Sequence, residues 1–302
     1  MMKHLTYLTI LYFFSILGAC SSSNSNNTEE PTPAPPQEVL LNLDKCIVST
    51  SDEKLEIVTW NIENFPKGTS TAKEVAKVIK AMDVDVLALQ EVTSKSTFEQ
   101  FIALLPGYEG VIMARTGLDL AFIYKTSEIS INGNPYGIYP EDEYHSPFPR
   151  RPFVLPIHSK STGLDVIIVN NHLKAKSGAK NEARRRKASK LLKQWIDSEH
   201  PDDNVVILGD LNDEITELPA KNVFQVFLND SVNYAFADAT IAESSETSQW
   251  SYPSWPSHID HIIITNELFD NKADTYTYPF MSCDKNYDQI ISDHQPVCIV
   301  LK

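Results

Sequence analysis

Six apolar runs, each with carboxylate, amide or imidazole side chains at one end, constrain this chain more than anything else in it. "LEIVTWN" gives a strand at about 55–60 that ends in Asn61, and "VDVLALQE" gives another ending in Glu91. "DVIIVNNH" ends in Asn171 and His172, and "NVVILGD" ends in Asp210. Two further runs carry their polar residues in front: "HIDHIIIT" places Asp260 before a strand, and "SDHQPVCIV" places Asp293 and His294 before the last one. Short apolar runs bounded by turn residues read as buried strands. Charged and amide groups at the ends of such strands are costly unless something pairs with them. If the first four strands point one way and the last two run antiparallel to them, all six polar ends meet at one edge of a mixed sheet. Binding sites of α/β sheets form at such edges.

Helical patterns lie between the strands. Residues 70–82 carry Val75, Val78, Ile79 and Met82 at spacings of three and four. Residues 181–198 carry Ala188, Leu191, Leu192, Trp195 and Ile196 on one face, with Lys187, Lys190 and Lys193 outside it. "PIHSKSTGLDV" reads as a hairpin turning around Thr162-Gly163. Residues 40–302 suit one α/β domain, with no internal repeat and no second linker.

The N-terminus has a different character. Lys3 and His4 precede an uncharged run from Leu5 to Ala19, too short for a comfortable membrane span of about 20 residues. It reads as a signal peptide over residues 1–19. Its ending "LGAC" resembles a bacterial lipobox, with Cys20 as the lipid-bearing first residue of the mature chain. Residues 20–39, Ser/Asn-rich and then Pro-rich, lack the apolar content to fold and are expected to form a disordered tether. The expected location is therefore the bacterial cell envelope, lipid-anchored on the periplasmic face or the cell surface. Of the other cysteines, Cys298 lies inside "PVCIVL" and reads as a buried thiol in a strand. Cys46 and Cys283 sit in loop-like sequence and are the better pair for a disulfide.

The net charge of -14 excludes a broad basic surface. Non-specific nucleic-acid affinity needs many phosphate contacts from Lys and Arg, so any nucleic acid bound here requires a local basic patch or a metal ion. Acidic, amide and imidazole groups with no cysteine at the edge favour a hard cation, Mg²⁺, Ca²⁺ or Mn²⁺, over zinc. Glu91 is the principal metal-ligand candidate, with Asn61 and Glu63 close by. A hard metal beside acid–base groups suits phosphate ester hydrolysis.

At this point "TWNIENF", "LQEV", "NNHL", "GDLND", "HIDHI" and "SDHQPV", in that order over residues 53–302, resemble the motifs of the endonuclease/exonuclease/phosphatase superfamily. The resemblance implies two mixed β-sheets packed face to face between outer helices, a four-layer α/β/β/α sandwich. It implies Glu91, Asn61, Glu63 and Asp293 at the metal, Mg²⁺ with Mn²⁺ as a substitute. It implies Asp210 as the residue that positions or deprotonates water, Asn212 as its phosphate-contacting neighbour, and Asp260 with His294 as a paired aspartate and histidine. His172 matches a second histidine at the scissile phosphate. Arg150, in "RRP", resembles the phosphate-binding arginine of the deoxyribonuclease I-like members, with Arg151 the competing choice.

Other residues carry weaker signals. Lys174 and Lys176 leave the active edge and can hold a substrate phosphate outside the scissile one, or simply be solvated; the same choice applies to Arg184 and Arg185. Asp213 reads as a helix cap leading into "EITELPA", His258 as a surface residue, and His261 as pointing away from the site on the alternating strand. Trp250, Tyr252 and Trp255, shortly before Asp260, can stack on bases, enter a lipid interface or serve as packing. The expected activity is Mg²⁺-dependent phosphodiester hydrolysis of endonuclease type, by a monomer whose substrate is a nucleic acid and whose membrane contact is lipid on Cys20. The alternatives are a phosphoesterase acting on phospholipid headgroups or sugar phosphates, and a binding protein on a catalytically dead scaffold.

Overall fold

Alternation along the strands separates three cores. On β1 (Leu55–Phe65), Leu55 and Ile57 face one core while Val58 and Trp60 face another. That period of two is what a strand buried on both faces requires. The computed structural model describes residues 41–48, 53–115, 117–140, 143 and 145–302. The expected signal peptide, Cys20 and tether lie outside the described residues.

The chain lays down four strands of one sheet, then seven of a second, then two more of the first. The first sheet receives β1, β2 (Val86–Val92), β3 (Tyr108–Met113) and β4 (Asp119–Lys125). The second holds β5 (Ile129–Ile131), β6 (Tyr136–Gly137), β7 (Phe153–Ser159), β8 (Asp165–His172), β9 (Val205–Asp210), β10 (Tyr234–Phe236) and β11 (Asp260–Thr265). The chain then returns with β12 (Lys272–Thr277) and β13 (Val297–Leu301). Sheet orders are β12-β13-β1-β2-β4-β3 and β10-β11-β9-β8-β7-β5, with β6 beside β7.

Between the sheets, Ile57, Val86, Phe122 and Ile299 meet Leu155, Ile168, Leu208 and Ile262. Outside the first sheet, α1 (Thr71–Met82) and α2 (Lys95–Ile102) bury Val75, Ile79, Phe98 and Phe101 against Val58, Leu87 and Leu89. Outside the second, α3 (Ala179–Glu199) buries Ala188, Leu192 and Ile196 against Val169, Val205 and Ile207. Short helices α4 (Gln225–Leu228), α5 (Ala239–Ala242), α6 (Phe280–Cys283) and α7 (Tyr287–Ile290) complete the chain. The four-layer α/β/β/α sandwich is as expected. Each fully buried aliphatic side chain contributes roughly 1.5–3 kcal/mol of transfer free energy, so the three cores account for the stacking.

Strand direction does what the pattern of polar ends demanded. β1 and β2 are parallel, as are β8 and β9, while β13 runs antiparallel to β1 and β11 to β9. His172 is in register with Asp210, and Asp210 with Asp260. Buried Asn170 ties the sheets together next to this edge: its Nδ2 donates to the carbonyls of Leu89 and Ala121, both at 3.0 Å, and its Oδ1 accepts from Gln90 Nε2 at 2.8 Å. Cys46 and Cys283 form a disulfide, joining the segment before β1 to α6, and Cys298 is buried in β13. Among the described residues no helix is long and apolar enough to cross a membrane.

Candidate active site

Backbone turns at the strand ends aim the side chains inward. Glu63, Asn64, Glu91 and Asn212 all have positive φ, between 35° and 64°. Gly209 has φ 139°, and a Cβ there would collide with the Asn171 carbonyl of the neighbouring strand. Only glycine lets β9 press against β8 at this point, which delivers Asp210 beside His172.

Asn61 is the hub of the site. Its Nδ2 donates to Asp210 Oδ2 at 3.0 Å and to Glu91 Oε1 at 3.4 Å, while its Oδ1 accepts the Glu63 N–H at 3.0 Å. Its carbonyl accepts from Ser292 Oγ at 2.6 Å, and the same hydroxyl accepts the His294 N–H at 3.0 Å. Ser292 thereby fixes the approach of His294 to β1.

Three groups face one another across the centre. His172 Nε2 lies 3.3 Å from Asp210 Oδ2 and 3.9 Å from Glu91 Oε1. His294 Nε2 lies 4.0 Å from Asp210 Oδ2 and 3.9 Å from Asp293 Oδ1, and its Nδ1 donates to Asp260 Oδ2 at 2.7 Å. Burial, with the Asp260 charge adding to it, pushes Asp210 up to about 7 against the pull of His294 and Asn61. Burial disfavours charge on His294, but the hydrogen-bonded Asp260 carboxylate outweighs it and raises the ring to about 10. Burial holds His172 well below the usual imidazole value, aided by the charges of Arg150, His294 and Lys174. The centre thus combines a carboxylate poised near neutrality, a neutral imidazole and an imidazolium, the division of protonation states from which acid–base assignments are made.

Of the four expected metal ligands, Asn61 bridges Glu91 on one side and the Glu63–Asp293 pair on the other. Glu91 lies on the Asp210 side and accepts the Asn64 N–H at 3.0 Å. Glu63 and Asp293 lie together, Glu63 Oε2 accepting the Asp293 N–H at 2.9 Å and Lys67 Nζ at 2.6 Å. Burial works to raise Glu63, but Lys67 and the Asp293 N–H bring it below its ordinary value. Burial lifts Asp293 to about 6, with His294 opposing and Glu63 adding. Asp210, Asp260 and His294 also offer ligand atoms within 4.8 Å of one another. Carboxylate and amide oxygens of this kind fit a hard divalent cation.

Arg150 and Arg151 diverge. Arg150 donates through Nε to the Leu118 carbonyl at 3.0 Å, and its guanidinium lies in the field of Glu91, Asp210 and Asp119; burial lowers its pKa while those acids pull the other way. Arg151 donates to the Ile138 carbonyl and lines an outer cleft with Val111, Met113 and Tyr136. The site-facing arginine is Arg150. Lys174 stands in a cationic neighbourhood: burial and then Arg184, Lys176, Arg150 and Arg185 lower its pKa. Asn212 donates its N–H to Asp210 Oδ1 at 3.1 Å and its Nδ2 to the Leu173 carbonyl at 3.4 Å.

Two expectations are corrected, and one open choice is narrowed. Asp213 caps no helix; it pairs with buried Arg185, its Oδ2 2.8 Å from Nε, so Arg185 is spent on structure rather than on substrate. His258 is no surface residue but is buried against Asp238. The three aromatics have separate roles: Trp250 donates to the Ile241 carbonyl, Tyr252 lays its ring 4.7 Å from that of His294, and Trp255 alone is exposed. Sequence reasoning missed Ser292, Ser251 and Asp238, single polar residues in loops with no periodic signal.

This constellation defines a class first: hydrolases that bring water to a phosphoester. The chain belongs to the endonuclease/exonuclease/phosphatase family, whose sequence profile matches residues 58–294, and it is a phosphoesterase of that family. Its fold is similar to that of D. rerio TDP2 complexed with single-strand DNA product (TM-score 0.64, 13% identity, covering 83% of this chain and 100% of that one). It is similar to the human Nocturnin catalytic domain with bound sulfate (0.60, 18%, 82% and 93%) and to a mannosyl-6-phosphatase of Bacteroides thetaiotaomicron (0.57, 16%, 82% and 100%). No curated protein matches the chain.

Proposed function

We propose that the chain is a Mg²⁺-dependent phosphodiesterase of nuclease type, held on the bacterial cell envelope by lipid on Cys20. The observation that carries the reading is Asp210 held between neutral His172 and cationic His294, with Arg150 close by. In its deprotonated form Asp210 takes a proton from an attacking water, whose oxygen forms the new bond to phosphorus as the ester bond breaks; the leaving oxygen departs with that bond's electron pair and takes a proton from the His294 imidazolium. His294 and Arg150 offset the charge that builds on the phosphate oxygens, while His172 and Asn212 donate hydrogen bonds to it. Asp260 keeps the His294 ring oriented and charged. Glu91 and Asn61, with Glu63 and Asp293 opposite, are the residues that would hold Mg²⁺ or Mn²⁺, whose charge polarises the phosphate. A nucleic-acid substrate is supported by the local cations Arg150, Lys174 and Lys176 on an otherwise acidic chain, and TDP2 of the same fold holds single-strand DNA.

The test is nicking of supercoiled plasmid with Mg²⁺, run beside chelator, Asp210→Asn and His294→Ala. Cleavage that needs the metal and both residues is expected. Release of phosphate from mannose 6-phosphate with no nicking would replace the nuclease with a sugar phosphatase. Anchoring is tested by Cys20→Ala, which should move the protein from the membrane to the soluble fraction.

A further inference from the structure

Behind the site lies a cluster that the proposed chemistry leaves unused. Asp238, in the turn after β10, is fully buried. Its Oδ2 accepts from His258 Nε2 at 2.9 Å and from His261 Nδ1 at 2.6 Å, and its Oδ1 accepts the Ile262 N–H at 2.9 Å. The remaining ring nitrogens fix the protons. His258 Nδ1 receives the Ser251 N–H at 3.1 Å, so it is bare and the proton is on Nε2. His261 Nε2 faces the Asp213 carbonyl at 2.9 Å, so both its nitrogens donate and the ring is an imidazolium. Burial alone would lower His261 and raise Asp238; their mutual attraction reverses both directions.

The same geometry decides against a metal here, although three ligand atoms lie within 4.8 Å of one another. A cation on His258 Nε2 would force the proton onto Nδ1, directly against the Ser251 N–H.

Two hydrogen-bonded paths leave Asp238. One runs through His258 to Ser251, whose Oγ accepts the N–H groups of Ile259 at 3.1 Å and Asp260 at 3.0 Å; Asp260 holds His294. The other runs through His261 to Asp213, whose carboxylate takes Arg185 Nε. Arg185 Nη1 donates to the carbonyls of Lys174 at 2.6 Å and Lys176 at 3.0 Å. Asp238, His258, His261, Asp213 and Arg185 are all buried.

We infer that Asp238 is a positioning residue that couples the acid–base pair Asp260–His294 to the cationic loop carrying Lys174 and Lys176. It rests on the roles proposed above for His294 and Lys174. The two paths predict separable kinetic effects, because one aligns the reacting pair and the other aligns the loop that binds.

The experiment measures kcat and KM of the full chain on bis(4-nitrophenyl) phosphate with Mg²⁺, with thermal melts of each variant. His258→Ala is expected to lower kcat about tenfold to hundredfold with KM within about twofold, and His258→Gln, which keeps a donor and an acceptor, to restore most of it. Asp213→Leu with Arg185→Met, which removes both buried charges together, is expected to raise KM several-fold with little change in kcat. Asp238→Asn is expected to change both; if it does not fold, the other variants decide. Losses of kcat that follow only the folded fraction, with KM unchanged in every variant, overturn the inference, as does failure of folded His258→Gln to restore kcat. Imidazole ¹⁵N spectra read the cluster independently of activity: two protonated nitrogens on His261 are expected, and a bare one overturns the inference. A wild-type chain with those protons that cleaves no phosphodiester overturns the proposed function and the coupling with it.

Discussion

Asp260 and His261 are neighbours on β11, and each belongs to an aspartate–histidine pair. Alternation along the strand sends them to opposite faces. Both pairs are buried and both join a carboxylate to Nδ1, at 2.7 Å for Asp260–His294 and 2.6 Å for Asp238–His261. In both, the aspartate raises the imidazole above its ordinary value despite burial. They part at Nε2. That of His261 is consumed by the Asp213 carbonyl, whereas that of His294 looks across about 4 Å at Asp210 and Asp293. Pairing makes an imidazolium in either place; the neighbour of the second nitrogen decides whether the charge serves the fold or the substrate.

The largest effect expected of any variant separates the two. His294→Ala should cut kcat on a phosphodiester about a thousandfold, which plasmid nicking rates will show; a loss below tenfold would make the pairs equivalent. His261→Phe should instead cost about 3–5 kcal/mol of stability, since it leaves Asp238 charged and buried without its cation. Urea unfolding measures this, and an unchanged midpoint would mean the pair is not ionic.

Asp85 sharpens the comparison, being a buried carboxylate with no imidazole. Its Oδ2 accepts the Glu56 N–H at 2.9 Å, and burial pushes it from 3.8 up to about 7. The folded state therefore binds this proton more tightly than the unfolded chain. The group's stability contribution is whole below about 3.8 and declines as pH rises through about 7. Asp85→Asn should match wild type near pH 4 and exceed it by about 2–4 kcal/mol at pH 8; a pH-independent difference would contradict the assignment. Smaller again, Lys174→Ala with Lys176→Ala should raise KM a few-fold and flatten its salt dependence, an effect of about 1 kcal/mol; an unchanged KM on every phosphate substrate removes those lysines from binding. Smallest, Trp255→Ala should leave the unfolding free energy, measured by urea titration, within about 0.5 kcal/mol of wild type, its side chain being exposed.

What was legible in the sequence follows a physical division. Strands buried on both faces must be near-continuous apolar runs, and their polar ends were visible as breaks in them, so Asn61, Glu91, His172, Asp210, Asp260 and His294 could be placed at one edge. The helix over residues 181–198 was visible by its period and is observed as Ala179–Glu199. The edge strand β12 and the short α4 to α7 left no comparable signal, because partly exposed or four-residue elements bury too little to impose a pattern. The misplaced residues, Asp213 and His258, owe their positions to partners 28 and 20 residues away. A buried polar contact between residues so far apart in the chain has no period to detect.

Glu63 and Glu91 hold left-handed backbone, at φ 35° and 64°, that glutamate adopts only at a cost of roughly 1–2 kcal/mol each. Glycine would be at ease there. A population propagated for heat tolerance alone would therefore drift toward glycine at these two codons and discard two carboxylates of the phosphate-binding edge. Their persistence in a natural lineage would be a record of use rather than of robustness, and a thermostabilised descendant should be checked at these codons first.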